Sequence, residues 1–235
     1  MKITMIGHST VLIEIAGQKI LTDPYFGTWG NPAYARVAPP AKLREALQDV
    51  DLVLISHLHW DHTDAKYLRA LTDIPIVVPY PTQWLVKLLY QPQTLVGMRP
   101  WESKTFGGCT ITAVPAIHIA MTAGFVIQGE GQHLYFAGDT YYHTFMKEIG
   151  QKFDLDIALM PVTTFRIPMT MNEKSAVNAA RDLKASTIIP IHLGIAPRTP
   201  LLRTNHTPEG FAQRVDAANL ETEVIILKEG ESWNT

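Results

Sequence analysis

One cysteine, Cys109, stands in a chain of 235 residues, so neither an intrachain disulfide nor a thiolate-built metal cluster is available. No apolar run approaches the roughly 20 residues that a membrane-spanning helix needs. The opening Met1–His8 is broken by polar residues too early for a secretory signal. Charge of either sign is scarce and balanced, with 20 Lys and Arg against 22 Asp and Glu for a net charge of −2. That leaves no global field to gather a polyanion, and bulk nucleic-acid binding is disfavoured. Composition breaks, low-complexity linkers and repeats of 20 to 50 residues are absent as well. What remains is a chain 46% apolar and 18% charged, long enough to bury more than about two thirds of its unfolded surface. The expectation is one soluble, cytoplasmic domain over residues 1–235 that acts on a small molecule, with homo-oligomerisation left open.

Along the chain, β and helical patterns alternate. Lys2–Ile6, Val11–Ile15 and Lys19–Thr22 are short apolar stretches, the last two joined by Ala16-Gly17-Gln18 as a hairpin. Residues 23–40, rich in Pro, Gly and aromatics, read as a long ordered loop. Ala41–Gln48 predicts a short helix and Asp51–Ser56 a buried strand. A helix is expected from near Asp61 to Leu71, then a strand at Ile76–Val78 and a helix at Thr82–Tyr90. Strands follow at Cys109–Val114, Gly124–Gln128 and His133–Ala137, then a helix at Tyr142–Gly150 and a strand at Asp156–Met160. Asn172 caps a helix through Leu183, and Thr187–Ile191 is a strand. Thr207-Pro208 opens a helix to about Ala218, before a strand at Glu223–Leu227. The pattern alone gives an α/β class.

The chemistry is concentrated in Ser56-His57-Leu58-His59-Trp60-Asp61-His62, directly after a buried strand. In an extended start His57 and His59 point to one side. Asp61 and His62 diverge by about 100° as a helix begins, which suits a neighbouring ion. Burying three imidazoles and a carboxylate together is costly without a metal. Three further donors each end an apolar β segment, where α/β sheets build their sites: His118, Asp139 and His192.

This set resembles the metallo-β-lactamase superfamily, whose H-x-H-x-D-H run is followed by a His, a bridging acid and a final His. The resemblance spans His8 to His192 and implies a four-layer α/β/β/α sandwich. It implies one metal on His57, His59 and His118, another on Asp61, His62 and His192, and Asp139 bridging both. The lactamase branch carries a Cys where this chain has the Asp, and Cys109 lies elsewhere, which disfavours a lactamase. Cys109 itself reads as a small core residue. Members with iron-based redox chemistry usually place Glu at the second motif position, so His59 argues for hydrolysis. Gly7-His8-Ser9-Thr10-Val11-Leu12-Ile13-Glu14, Leu21-Thr22-Asp23-Pro24 and Phe136-Ala137-Gly138-Asp139-Thr140 are similar to the branch containing ascorbate-6-phosphate lactonase and N-acyl-phosphatidylethanolamine phospholipase D.

Beside the ligands, Asp23 is expected to orient a ligand imidazole by accepting its other N–H, with a turn before Pro24 as the plain alternative. Asp61 and His8 are read as catalytic, His8 lining the mouth or donating to a substrate oxygen, with a structural hydrogen bond as the plain alternative. Asp64 reads as a helix-surface or supporting residue. Arg166, Arg198 and Arg203 follow strand ends and are candidate clamps for a phosphate or carboxylate, with solvated loop charges as the plain alternative. Tyr25, Phe26, Trp29 and Tyr34 either wall a pocket or pack on the sheet. The expected activity is that of a binuclear metal-dependent hydrolase, with zinc ahead of manganese or iron. Two divalent ions, two aspartates and one hydroxide leave about +1 at the centre, hospitable to an oxyanion. An anionic lactone or carboxylic ester ranks slightly ahead. The alternatives are a phosphodiesterase on a small or lipid substrate and a non-catalytic metal-binding or sensor module.

Overall fold

The computed structural model describes residues 1–235. The first half supplies β1 (Lys2–Gly7), β2 (Thr10–Ile15), β3 (Gln18–Thr22), β4 (Tyr34–Arg36), β5 (Leu52–Leu54), α1 (Ala65–Ala70), β6 (Ile76–Pro79), α2 (Gln83–Tyr90) and β7 (Leu95–Met98). The second supplies β8 (Ser103–Phe106), β9 (Cys109–Pro115), β10 (Ala123–Gly129), β11 (Gln132–Phe136), α3 (Phe145–Lys152), β12 (Ile157–Pro161), α4 (Glu173–Leu183), β13 (Thr187–Ile191), β14 (Ile195–Pro197), α5 (Pro208–Ala217), β15 (Glu223–Val224) and β16 (Ser232–Asn234). One sheet runs β16-β1-β2-β3-β5-β6-β7, the other β15-β13-β12-β11-β10-β9-β8, and β4 pairs with β14 beside them.

Alternation along the strands explains the layering. Leu52 and Leu54 face the core between the sheets, while Val53 and Ile55 face Tyr67, Leu68 and Val86 on α1 and α2. Ile157 and Leu159 join that central core, and Ala158 and Met160 turn outward to α3, α4 and α5. Strands covered on both faces must be apolar throughout, as these are. The result is the four-layer α/β/β/α sandwich. Helix α4 begins where Asn172 accepts from the Ser175 N–H while the Ser175 hydroxyl accepts from the Asn172 N–H, a reciprocal cap. Thr207 caps α5 with Pro208 in its first turn.

Several expected boundaries move. The helix expected from Asp61 begins only at Ala65, because the His62 N–H pairs with the His59 carbonyl and Asp64 takes the cap position, accepting from the Tyr67 N–H at 2.9 Å. Ala41–Gln48 contains only a 3₁₀ turn over Arg44–Leu47. The edge strands β7, β8 and β16 and the β4–β14 pair carry no clear apolar alternation and were not expected. Residues 23–40 run as the expected ordered loop, with β4 set inside it.

Candidate metal centre

Six strand ends converge on one edge of the sandwich. There β1 hands over to His8, β3 to Asp23, β5 to Ser56–His62, β9 to His118, β11 to Asp139 and β13 to His192. A close turn holds the motif, with the Thr63 hydroxyl donating to the His57 carbonyl at 3.1 Å. Asp64 stays outside the cluster, held by Arg44 at 2.8 Å as the cap of α1.

The donors form two groups, each with its ligand atoms within 4.8 Å of one another: His57, His59, His118 and Asp139, and His8, Asp61, His62 and His192. Asp139 faces both. Its Oδ2 lies 3.7 Å from His118 Nε2 and 3.9 Å from His57 Nε2 in the first group, and 3.1 Å from His192 Nε2 in the second. Its Oδ1 lies 3.5 Å from His62 Nε2. His59 Nδ1 and His118 Nε2 stand 3.2 Å apart, close to the spacing of about 3.3 Å that two nitrogens take on one tetrahedral zinc. His57 Nε2, His62 Nε2 and Asp139 Oδ1 are buried without a hydrogen-bond partner. Lone pairs buried against one another are costly unless a cation sits among them, so the donor set fits divalent metal.

Which nitrogen faces the centre is fixed from behind. Asp23, fully buried, accepts the Ser56 N–H and the Ser56 hydroxyl, both at 2.6 Å, and faces His62 Nδ1 at 2.6 Å. Because the Ser56 hydroxyl donates to Asp23, it can only accept from His57 Nδ1, 2.9 Å away. Both Nδ1 atoms therefore carry protons, and the Nε2 lone pairs of His57 and His62 are free for metal. Asp23 thus orients one imidazole directly and another through Ser56, a residue to which the sequence alone gave no role.

His8 is not at the mouth. It is 2% exposed, and its Nδ1 accepts the Gly194 N–H at 3.1 Å. A neutral imidazole has one N–H, so Nε2 carries it and cannot be a metal ligand. That atom faces Asp61 Oδ2 at 3.3 Å. Of the two readings of His8, the arrangement follows the structural hydrogen bond and moves it away from the mouth, since it reaches Asp61 from beneath the site.

Backbone strain collects at the same place. His8, Asp23 and His192 have φ of 63°, 34° and 64°, values that side-chain-bearing residues seldom adopt. Gly138, at φ 56°, brings Asp139 against the opposite sheet, where a Cβ would stand 2.3 Å from Ser56 Cβ.

Electrostatics follow from burial and neighbours. Burial would push the Asp139 carboxyl up, but His192 and His62 carry it well below the usual range. Burial pulls His62 down, yet Asp139, Asp23 and Asp61 outweigh it and hold the imidazole well above its ordinary value. Burial lowers His57 well below the normal value, His8 to about 3 and His118 to about 4.

Above the centre lies a cleft of about 210 Å³ bordered by His59, Asp61, Asp139 and His192. A second, of about 380 Å³, adjoins it and contains Arg203 and His206. Of the three arginines, only Arg203 lines either cleft. Arg198 donates to the Asn31 and Trp29 carbonyls and staples the 23–40 loop, and Arg166 is exposed outside both clefts. The clamp reading is thus left to Arg203 alone. The aromatic loop divides: Tyr25 packs beneath, edge-on to His8 and Trp60, Phe26 joins Tyr67 in the core, Trp29 stands in solvent, and Tyr34 lines the first cleft. His206, in the loop before α5, lies on the second cleft.

The model of the Beta-lactamase superfamily domain matches residues 18–193. A UPF0173 metal-dependent hydrolase of Methanopyrus kandleri is 32% identical over 252 residues, covering 99% of this chain and 99% of that protein. A metallo hydrolase of the hyperthermophilic archaeon Ignicoccus hospitalis superposes with a TM-score of 0.81 at 25% identity, covering 100% of this chain and 98% of that one. An isothiocyanate hydrolase from Delia radicum gut bacteria has a TM-score of 0.82 at 21% identity, covering 100% and 99%, a likeness of fold. No helix of the chain is long and apolar enough to cross a membrane.

Proposed function

The chain belongs to the beta-lactamase superfamily and is a metal-dependent hydrolase; from that premise we propose a binuclear centre acting on an ester-type bond. His57, His59 and His118 would hold one divalent ion, Asp61, His62 and His192 the other, and Asp139 both. An all nitrogen-and-oxygen set accepts zinc first, and manganese or iron as well. The observation that carries this reading is Asp139, whose oxygens stand within 3.9 Å of donors from both groups. Bound there, the ions supply a water nucleophile at neutral pH and an electrophile for the scissile carbonyl or phosphoryl oxygen.

The chain's own residues do the rest. Asp23 and Ser56 keep the His57 and His62 lone pairs aimed inward, so little reorganisation is left for the reaction. His8 steadies Asp61 from below. Strand ends rather than loop tips carry the donors, which limits their drift. Arg203 is the proposed anion contact. Its Nε donates to the Pro197 carbonyl at 3.0 Å, which aims the guanidinium while leaving the Nη groups to a ligand. A carboxylic ester or lactone carrying one remote anion is the substrate class proposed ahead of a phosphodiester.

The test is turnover of a simple lactone, a carboxylic ester and bis-p-nitrophenyl phosphate by chelator-treated protein, before and after addition of defined metals. Metal-stimulated hydrolysis, fastest on the lactone or ester, is expected. Turnover indifferent to added metal contradicts the proposal.

A further inference from the structure

We infer that the substrate is amphiphilic about its scissile bond, with an apolar group of up to about seven heavy atoms on one side and a polar group of at most one negative charge on the other. This rests on the ester-hydrolase reading above and concerns what that centre accepts. The cleft over the centre is lined, besides the metal donors, by Tyr34, Trp60, Ile119, Phe165, Met169 and Ile195. No Lys or Arg enters it, so away from the metal ions an anionic group there would find no side-chain cation and would face Asp61 and Asp139. Its 210 Å³ is room for about seven water-sized groups and too little for a helix or a folded segment.

The neighbouring 380 Å³ cleft is partly apolar too, but it adds polar and charged groups that the first lacks. Thr163 offers a hydroxyl, Arg203 charge and His206 hydrogen bonds. Glu209 lies on the same wall and opposes a second negative charge. Phe165, His192 and Ile195 border both clefts. A molecule filling both therefore crosses over His192, one of the proposed ligands, and its reacting bond lies at that crossing. Alone, the first cleft is smaller than the roughly 300–1,000 Å³ of ordinary ligand sites, whereas the pair falls within that range.

The probes are product-like acids. Zinc-loaded protein is titrated calorimetrically with acetate, butyrate, hexanoate and glutarate, and its zinc content is measured in parallel. Affinity should rise at least tenfold from acetate to hexanoate, since each buried methylene is worth about fourfold. Ile119→Ser and Met169→Ser should each flatten that rise without lowering zinc content. Arg203→Ala should weaken glutarate about tenfold and leave hexanoate unchanged. Equal affinities across the monocarboxylates, or no binding of any acid to protein that holds its zinc, overturns the inference and leaves the metal centre standing. Protein that holds no zinc overturns the underlying hydrolase reading instead. The wild-type series needs no variant, so a variant that fails to fold does not block the test.

Discussion

At the floor of the site, Asp23, Ser56, His57 and His62 form one buried chain of hydrogen bonds, and strained backbone at His8, Asp23 and His192 is held there by two packed sheets. At its mouth, Ile119 stands largely in solvent, and Arg203 is aimed by a single hydrogen bond. The floor can hold metal donors in one geometry because every supporting group is itself supported. The mouth can change what it accepts without disturbing them. Rate and metal affinity should therefore respond to the floor, and substrate preference to the mouth.

The largest effect expected is at Asp23. Asp23→Ala should weaken zinc binding by about 10–100-fold at both positions, because the carboxylate orients a ligand in each group. Ser56→Ala should weaken only the position that His57 serves. Competition with a chromophoric chelator separates the two, and equal losses in both variants would break the assignment of Asp23 as the shared support.

Next is pH. His62, held above its ordinary 6.5 by three carboxylates despite burial, must lose its proton before metal binds. Apparent zinc affinity should climb about tenfold per pH unit below the raised value and level off above it. The metal-free fold runs the other way: the contribution of His62 to stability is complete below 6.5 and is lost as pH rises through the raised value. Asp23→Asn removes part of the pull and should move the plateau to lower pH. A flat profile from pH 5 to 9 contradicts this.

At the mouth, Arg203→Ala should raise KM for a singly charged ester about tenfold with kcat little changed. Arg198→Ala should leave KM alone and lower only the melting temperature, since it ties the 29–31 loop. The smallest effect belongs to His8→Ala, which should loosen the second ion by less than tenfold without altering KM. A KM change there would return His8 to the mouth.

The contrast also explains what could be read from residues alone. The proposed metal donors were legible because His and Asp at close spacing after a strand have few other uses, and Asp23 because Leu21-Thr22-Asp23-Pro24 resembles the opening hairpin of a known branch. Ser56, Gly138 and Gly194 were not, because each acts through an approach between distant strands, such as Gly138 against Ser56, that leaves no local pattern. The sequence could not decide between the two readings of His8 because a turn residue's depth depends on what packs over it. Position after a strand could not say which way the arginines turn. Arg198 lies on the far side of its loop, against Trp29 and Asn31. The motif's helix was started too early because the pattern of apolar residues does not register the His59–His62 turn.

The most direct test of the binuclear centre is a zinc titration of metal-free protein, read by calorimetry and by elemental analysis of the dialysed product. The account predicts two zinc ions per chain for the wild type and at most one for Asp139→Ala. A single ion per wild-type chain under excess zinc, with Asp139→Ala unchanged from it, would contradict the claim that one carboxylate joins two metal positions.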